Sequence, residues 1–483
     1  MKKPIINALI LVHTCIGISQ TINLEEAIPG PEFPTAKFGS ITSSDIDGDG
    51  DKDILISGQD INNTHISKLY QNNGNGNFNE LLDAQLTGVS NSFARFSDID
   101  NDGDEDLLLT GLNQALERTA NLYSNDGTGN FTLVDGTPFE PSYDGAFAFE
   151  DVDNDGDEDL LLTGQNSENG VIPAQGITKL YINNGIGEFS EATGTPFEQL
   201  RNSTLVFIDI DSDGDKDVII AGVNNSQLNS TILYSNDGTG IYSLIADSPF
   251  EDIHIGAIAA SDIDNDGDQD VLLTGQNNTS NFISRLYVND GSGLFTLLTG
   301  TSFQGVAMST VDFADFDNDN DFDVLITGVT GDVNVVSNIY ENQGNNNYIL
   351  VDSLVGVEVG TTTIIDVNED NYLDVVIAGT DNLIGTFKTR TYVNSGASLT
   401  IDDLSFEDMN QIYPNPSDGT VNFRLDESIV STINVFKVTG ELVYSSDSTN
   451  FSSYQIKLNQ SAGMYLVEII ADGISKKFKL ILK

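Results

Sequence analysis

The chain of 483 residues contains no tryptophan, one cysteine (Cys15), three histidines and only 20 lysines and arginines. Each shortage closes off a kind of chemistry. A single cysteine cannot build a disulfide framework. Zinc centres draw on Cys and His, and neither is in supply. The missing tryptophan removes the strongest aromatic platform for stacking a sugar. Twenty basic side chains against 74 acidic ones leave a formal charge of -54. That balance disfavours nucleic acid and anionic membrane as partners, because like charges repel at a phosphate surface. It favours bound cations. At 39% hydrophobic residues the chain still has the means to pack cores, unlike a disordered acidic polymer.

Cys15 falls in an N-terminal segment with the plan of a signal peptide: Lys2 and Lys3, an apolar stretch from Ile5 to Ile18, and small Gly17 and Ser19 before a cleavage point ahead of Gln20. His13-Thr14 before Cys15 does not suit a lipid attachment site. Removal of residues 1–19 leaves a chain without cysteine and, with two lysines gone, a charge of -56. No later apolar run is long enough to span a membrane. The expected location is outside the cell or on its outer surface.

What is present is a repeat. Seven segments align without gaps: DIDGDGDKD, DIDNDGDED, DVDNDGDED, DIDSDGDKD, DIDNDGDQD, DFDNDNDFD and DVNEDNYLD. They start at Asp45, Asp98, Asp151, Asp209, Asp262, Asp315 and Asp366, at spacings of 53, 53, 58, 53, 53 and 51 residues. Each runs into a short apolar strand ending in Gly, from ILISG to VVIAG, which suits a strand buried on both faces. A second signature follows, as in YQNNGNGNF at Tyr70 and YSNDGTGNF at Tyr123, and reads as a hairpin turn. Stretches such as AFAFED precede the loops. Each unit of about 53 residues is thus expected to hold four short antiparallel strands, and seven such units predict an all-β, seven-bladed β-propeller over residues 20–396. The seventh unit lacks a clear last strand after Tyr392. The segment from Thr21 to Ala27 is expected to supply it, leaving no open sheet edge.

Aspartates at positions 1, 3 and 5 of a tight loop, Gly at 6, a backbone carbonyl at 7 and Asp at 9 form the oxygen set of a hard cation. Calcium fits better than magnesium, which keeps several waters. Position 12 is apolar and strands flank the loop, so these are not EF-hands. Turn formation alone explains one such loop. It does not explain seven in register, since two carboxylates about 5 Å apart repel by roughly 3 kcal/mol at an effective dielectric of about 20. The candidate metal residues are Asp45, Asp47, Asp49, Asp51 and Asp53; Asp98, Asp100, Asp102, Asp104 and Asp106; Asp151, Asp153, Asp155, Asp157 and Asp159; Asp209, Asp211, Asp213, Asp215 and Asp217; Asp262, Asp264, Asp266, Asp268 and Asp270; Asp315, Asp317, Asp319, Asp321 and Asp323; and Asp366, Asn368, Asp370, Tyr372 and Asp374. The sixth loop turns on Asn320, which tolerates the left-handed conformation. The seventh carries less charge, so up to seven calcium ions are expected, the last held most weakly.

The unit resembles the FG-GAP-like (VCBS) repeat, whose pattern is a DxDxDGxxD loop, an apolar strand and an N-x-G-x-G-x-F hairpin. The likeness runs over roughly residues 21–396. It implies a calcium-binding propeller of the kind found in the integrin α-subunit head. By position, Asp45, Asp47, Asp49 and Asp53 become side-chain ligands and Asp51 a carbonyl ligand, and likewise in later units.

Composition changes near Gly396. Residues 397–410 read as a linker. Residues 411–483 show short alternating strands with Gly turns, a small β-sandwich by pattern. Tyr413-Pro414-Asn415-Pro416 with Gly419, then Gly440 and Gly463-Met464-Tyr465, resembles a type A sorting domain of the type IX secretion system. That implies export by the type IX machinery.

For function, three readings stay open. One is a non-catalytic adhesion or binding scaffold whose loops meet a protein or glycan. Another is a calcium-dependent polysaccharide lyase or hydrolase. The third is a lectin. No Ser-His-Asp or Cys-His signature stands out, and no catalytic residue or organic cofactor is assigned. His65 and His254 fall at non-equivalent places and read as packing or surface residues. The longest insertion, 165–176, is the candidate for partner choice.

Overall fold

In the computed structural model the described residues are 22–27, 33–167, 174–344, 346–381, 387–396, 411–424, 431–437, 442–446, 453–471 and 474–483. The expected signal peptide and linker lie outside them, as does the middle of the insertion. The described residues are all β, with no helix. The chain divides into two compact units, Met1–Gly396 and Ala397–Lys483.

The first unit is built from seven copies of one antiparallel element. Its second strand is the apolar run after each acidic loop: Asp53–Gln59, Asp106–Asn113, Asp159–Gln165, Asp217–Asn224, Asp270–Asn277, Asp323–Thr330 and Asp374–Thr380. Ile54, Leu55 and Ile56 are fully buried, and so are their counterparts in every later copy, to Val375, Val376 and Ile377 in the seventh. Side chains on both faces of these strands are enclosed because each face packs on a neighbouring copy. At roughly 1.5–3 kcal/mol per buried aliphatic side chain, these strands anchor the unit.

A first strand pairs on one side (Ile41–Ser44, Val89–Ser97, Phe147–Glu150, Leu200–Ile208, Ile253–Ser261, Val306–Ala314, Glu358–Ile365) and a third, carrying the Tyr signature, on the other. A short fourth strand completes six copies. In the seventh, Leu24–Glu26 pairs with Phe387–Asn394, with Leu24 opposite Asn394, and Glu26 makes an ion pair with Arg390.

Seven hydrophobic clusters lie between neighbouring copies. One joins the last to the first, with Ile41, Ile54 and Tyr70 packed on Val367, Val376 and Ala378. Five of the hairpin tyrosines (Tyr70, Tyr181, Tyr234, Tyr287 and Tyr340) rest on a Phe: Tyr234 meets Phe197 edge-on at 5.0 Å, and Tyr181 meets Phe139 at 5.2 Å.

The first strands line a central cavity of about 360 Å³. At its mouth every copy has a bulge, seven residues before the loop's first Asp. The residue there has positive φ in all seven: Phe38 (52°), Asn91 (49°), Asp144 (48°), Asn202 (45°), Ile255 (45°), Met308 (49°) and Val359 (43°). Left-handed backbone costs a residue with a β-carbon roughly 1–2 kcal/mol, and Ile and Val are the least suited. The next position alternates Gly and Ser. At Gly39 a β-carbon would lie 1.8 Å from the Ser57 carbonyl oxygen, so the approach of the second strand demands glycine.

In the second unit, sheets of three and four strands enclose a shared core that includes Val421, Phe423, Val435, Val467 and Leu480. Asn415 of the Tyr-Pro-Asn-Pro motif ties the chain entry to the last strand. Its amide donates to the Lys479 carbonyl at 2.7 Å, and its oxygen accepts from the Ile481 N–H at 2.9 Å.

Candidate metal centre

Each acidic loop joins a first strand to a second strand, so all seven sit at the end of the first strands opposite the bulged mouth. The backbone turns are left-handed at position 4 (Asn101, φ 59°) and at position 6 (Gly103, φ 96°). Asn320 and Asn371 replace glycine at position 6 with φ of 72° and 68°, a conformation that asparagine tolerates.

Three carboxylates shape every loop. One oxygen of the position-1 Asp accepts the position-6 N–H, at 3.0 Å for Asp98 and 2.7 Å for Asp366, the longest and shortest of the seven. The position-5 Asp accepts the position-7 N–H, at 3.0 Å for Asp49 and 2.9 Å for Asp370. The position-9 Asp reaches the hairpin, where Asp53 accepts from Asn72 N–H at 2.7 Å and Asp374 from Asn394 N–H at 2.6 Å. Its other oxygen takes the position-2 N–H, as from Ile46 at 3.1 Å.

These contacts leave carboxylate oxygens converging. Ligand atoms of Asp45, Asp47 and Asp53 lie within 4.8 Å of one another, as do those of Asp151, Asp153 and Asp159, of Asp209, Asp211 and Asp217, and of Asp262, Asp264 and Asp270. In the second loop the trio is Asp98, Asp100 and Asp102. Position 7 does not join these groups. The Asp104 side chain lies against the hairpin glycine, and a β-carbon on Gly127 would come within 2.4 Å of its carboxylate.

Several of the converging oxygens are buried without a hydrogen-bond partner: Asp47 Oδ1, Asp100 Oδ1, Asp153 Oδ1, Asp209 Oδ1 and both oxygens of Asp317. A buried anionic oxygen with no donor is strongly disfavoured unless a cation meets it. Burial pushes the position-9 carboxyls up to about 7 at Asp53, Asp106, Asp159, Asp270 and Asp374, and to about 8 at Asp323, against backbone N–H donors that pull the other way. Asp317 rises to about 7 through burial and the charges of Asp319, Glu341 and Asp315. An all-oxygen donor set with unpaired anionic oxygens fits a hard divalent cation. In the seventh loop Asn368 replaces an anionic donor, and its amide donates to Asp370 at 3.2 Å.

The loops are also joined to one another. The amide of the buried hairpin asparagine donates to the position-2 carbonyl of the preceding copy: Asn125 to Ile46 at 2.9 Å, Asn236 to Val152 at 2.7 Å, Asn394 to Phe316 at 2.7 Å and, across the ends of the chain, Asn72 to Val367 at 3.1 Å. In the sequence these asparagines look like turn residues; their clamp between copies is set by tertiary contact. On the surface, position 4 reaches position 7 of the next loop, as Asn101 to Asp157 at 2.8 Å and Asn154 to Asp215 at 2.9 Å. Between the last and first loops that pair is Glu369 with Asp51. Hydrogen bonding to Glu369, burial and its charge push Asp51 up to about 6.

The histidines sit away from the loops. His65 is buried, with Nδ1 2.9 Å from the Leu112 carbonyl, and His254 is half-buried beside the Gln276 carbonyl.

Repeated β-units that each present one acid-rich loop define a repeat-protein class by architecture and site. The chain belongs to the FG-GAP-like repeat family, whose profile matches residues 45–109, 98–162, 151–220, 209–273 and 262–326, together more than half the sequence. Residues 411–483 match the secretion system C-terminal sorting domain, which marks the protein for export by the type IX pathway to the surface or medium. No curated protein matches the sequence. Similar solved structures include a lectin of Aleuria aurantia described as a six-bladed β-propeller with a novel fucose recognition mode (9% identity, 66% of this chain and 97% of that chain, TM-score 0.37). Others are the rhamnogalacturonan lyase YesW (12%, 78% and 75%, 0.39) and AofleA from Arthrobotrys oligospora (11%, 70% and 94%, 0.36). At these TM-scores they carry no argument about function.

Proposed function

We propose that this protein is an exported calcium-binding scaffold: a closed seven-bladed β-propeller that holds up to seven calcium ions and presents a binding surface outside the cell. The C-terminal unit is read as a β-sandwich that serves the export machinery. The observation that carries the proposal is the recurrence of buried, unpartnered aspartate oxygens in loops of one geometry. In the first six loops positions 1, 3, 5 and 9 offer carboxylate oxygen and position 7 offers its carbonyl; the seventh has the Asn368 amide at position 3. The bound ion supplies compensating positive charge. The chain's own residues fix the loop, hold the hairpin and link each copy to the next. Since position 9 also accepts the hairpin N–H, ion binding and unit cohesion share one residue, which suits a structural ion.

A binding role is favoured over catalysis because the described histidines are held by backbone carbonyls and the repeated carboxylates are committed to the loops. Two experiments test the reading. Calcium-loaded protein is offered a panel of polysaccharides and glycosides; no turnover is expected, and calcium-dependent cleavage would replace the scaffold with an enzyme. Cells expressing the chain with and without 411–483 are fractionated; the truncated form is expected to stay inside, and its normal surface delivery would refute the sorting role.

A further inference from the structure

The cavity mouth opposite the acidic loops is built differently from the rest of the fold. The bulge that opens each first strand places one residue at positive φ, where glycine is free of strain. The chain has 45 glycines and puts none at these seven positions. It keeps seven side chains where the backbone disfavours them. Strain held in register around a cavity points to those side chains having a task.

Their chemistry is divided. Four consecutive copies, from the fifth around to the first, contribute Ile255, Met308, Val359 and Phe38, with Met308 42% and Phe38 37% exposed. The other three contribute Asn91, Asp144 and Asn202. Asn91 donates to the Asp144 carboxylate at 2.6 Å, and Arg201 orients the Asn202 oxygen at 2.8 Å. Backbone bonds fix the ring, with Phe38 N–H on the Val359 carbonyl at 3.4 Å and Asp144 N–H on the Asn91 carbonyl at 3.2 Å. Below the mouth, Arg95 and Asp312 reach into the same channel from the second and sixth copies, and Thr362 donates to Asp312 at 2.5 Å.

A volume of about 360 Å³ falls within the roughly 300–1,000 Å³ of small-molecule sites. One apolar arc faced by one arc of amides and carboxylate fits a molecule with the same two faces. We propose that the mouth binds a neutral pyranose, free or at the end of a glycan. The C–H face of the ring rests on Phe38 and Met308, and its hydroxyls meet Asn91, Asp144 and Asn202. A uronic acid is disfavoured beside Asp144. The inference rests on the scaffold reading only in that a scaffold needs a ligand, and its site is separate from the calcium loops.

The test uses the full exported protein with calcium, titrated with methyl glycosides of neutral hexoses and 6-deoxyhexoses, the matching uronic acids, and oligosaccharides with the same sugars at their ends. Ligand-observed NMR and calorimetry give Kd. Binding of a neutral glycoside is expected, about tenfold or more weaker in Phe38→Gly and Asn202→Gly. Both variants should melt at or above the parent temperature, because glycine relieves the left-handed strain. A monosaccharide that binds alone identifies a free sugar as sufficient; binding only of oligosaccharides identifies a glycan end. Calcium-stabilised protein that binds no neutral sugar, that prefers uronic acids, or whose binding survives both substitutions would overturn the assignment. Melting with and without calcium judges the scaffold reading separately.

Discussion

Calcium removal is the most demanding test of the loops. Three carboxylates within 4.8 Å of one another repel by roughly 3.5 kcal/mol per pair at an effective dielectric of about 20, or about 10 kcal/mol per fully ionised trio. Without a cation the folded protein eases that cost in part through the position-9 carboxyls, whose affinity for a proton is raised to about 7 by burial first and by the neighbouring carboxylates in addition. With a cation the penalty becomes binding energy. Sites of extracellular strength, with Kd of about 0.1 mM, exposed to about 10 mM calcium would each add about 2.7 kcal/mol. Six loops with the full aspartate set then contribute about 16 kcal/mol. For a repeat unit of roughly 370 residues unfolding as one body, with an entropy of about 2.1 cal/mol/K per residue, that is a rise of about 20 °C in Tm. Calorimetry at pH 7.5 in calcium, in magnesium and in EDTA measures it. A change below about 2 °C between calcium and EDTA would refute the argument that the buried oxygens are cation ligands.

The same carboxyls set a pH dependence. In EDTA the native position-9 pKa values, near 7, lie above the unfolded value of 3.8, so the folded state binds more protons between them. Stability of the calcium-free protein should therefore fall as pH rises from about 4 through 7, while the calcium-loaded protein gains over the same range; parallel curves would contradict the assignment. Asn368→Asp restores an anionic donor to the seventh loop, and calorimetric titration should show its weakest calcium site tightening. Asn125→Ala removes the buried amide that holds Ile46, with an expected loss of about 1–3 kcal/mol in denaturant melts of the calcium form. Glu369→Gln converts the carboxylate pair with Asp51 into the amide–carboxylate pair of other junctions, and Tm should rise slightly, more at pH 8 than at pH 5.

Legibility in the sequence followed the range of the interaction. The β class, the family and the sorting domain were readable because their signals are local: a nine-residue loop, a five-residue apolar run, a Gly-bearing hairpin. The lower charge of the seventh loop was readable for the same reason, since Asn368 and Tyr372 stand where other loops carry Asp. The hairpin asparagines were visible as turn residues only. Their amides bond to a loop some 79 residues away, as Asn125 does to Ile46. No local pattern marks that distance. The strained ring was hidden more completely: Phe38, Asn91 and Ile255 share no chemistry, and only the alternating Gly and Ser beside them carries a faint periodic mark.

The sequence by itself determined the period, the placing of the aspartates in each loop and the order of strands, because loop chemistry and strand burial depend on neighbours a few residues apart. Only the tertiary structure decided which aspartate oxygens are left without donors, which asparagines clamp one copy to the next, and that a divided ring of strained side chains surrounds the cavity mouth. Those properties arise when first strands from distant parts of the chain are brought around a shared axis, where residues 53 positions apart become neighbours.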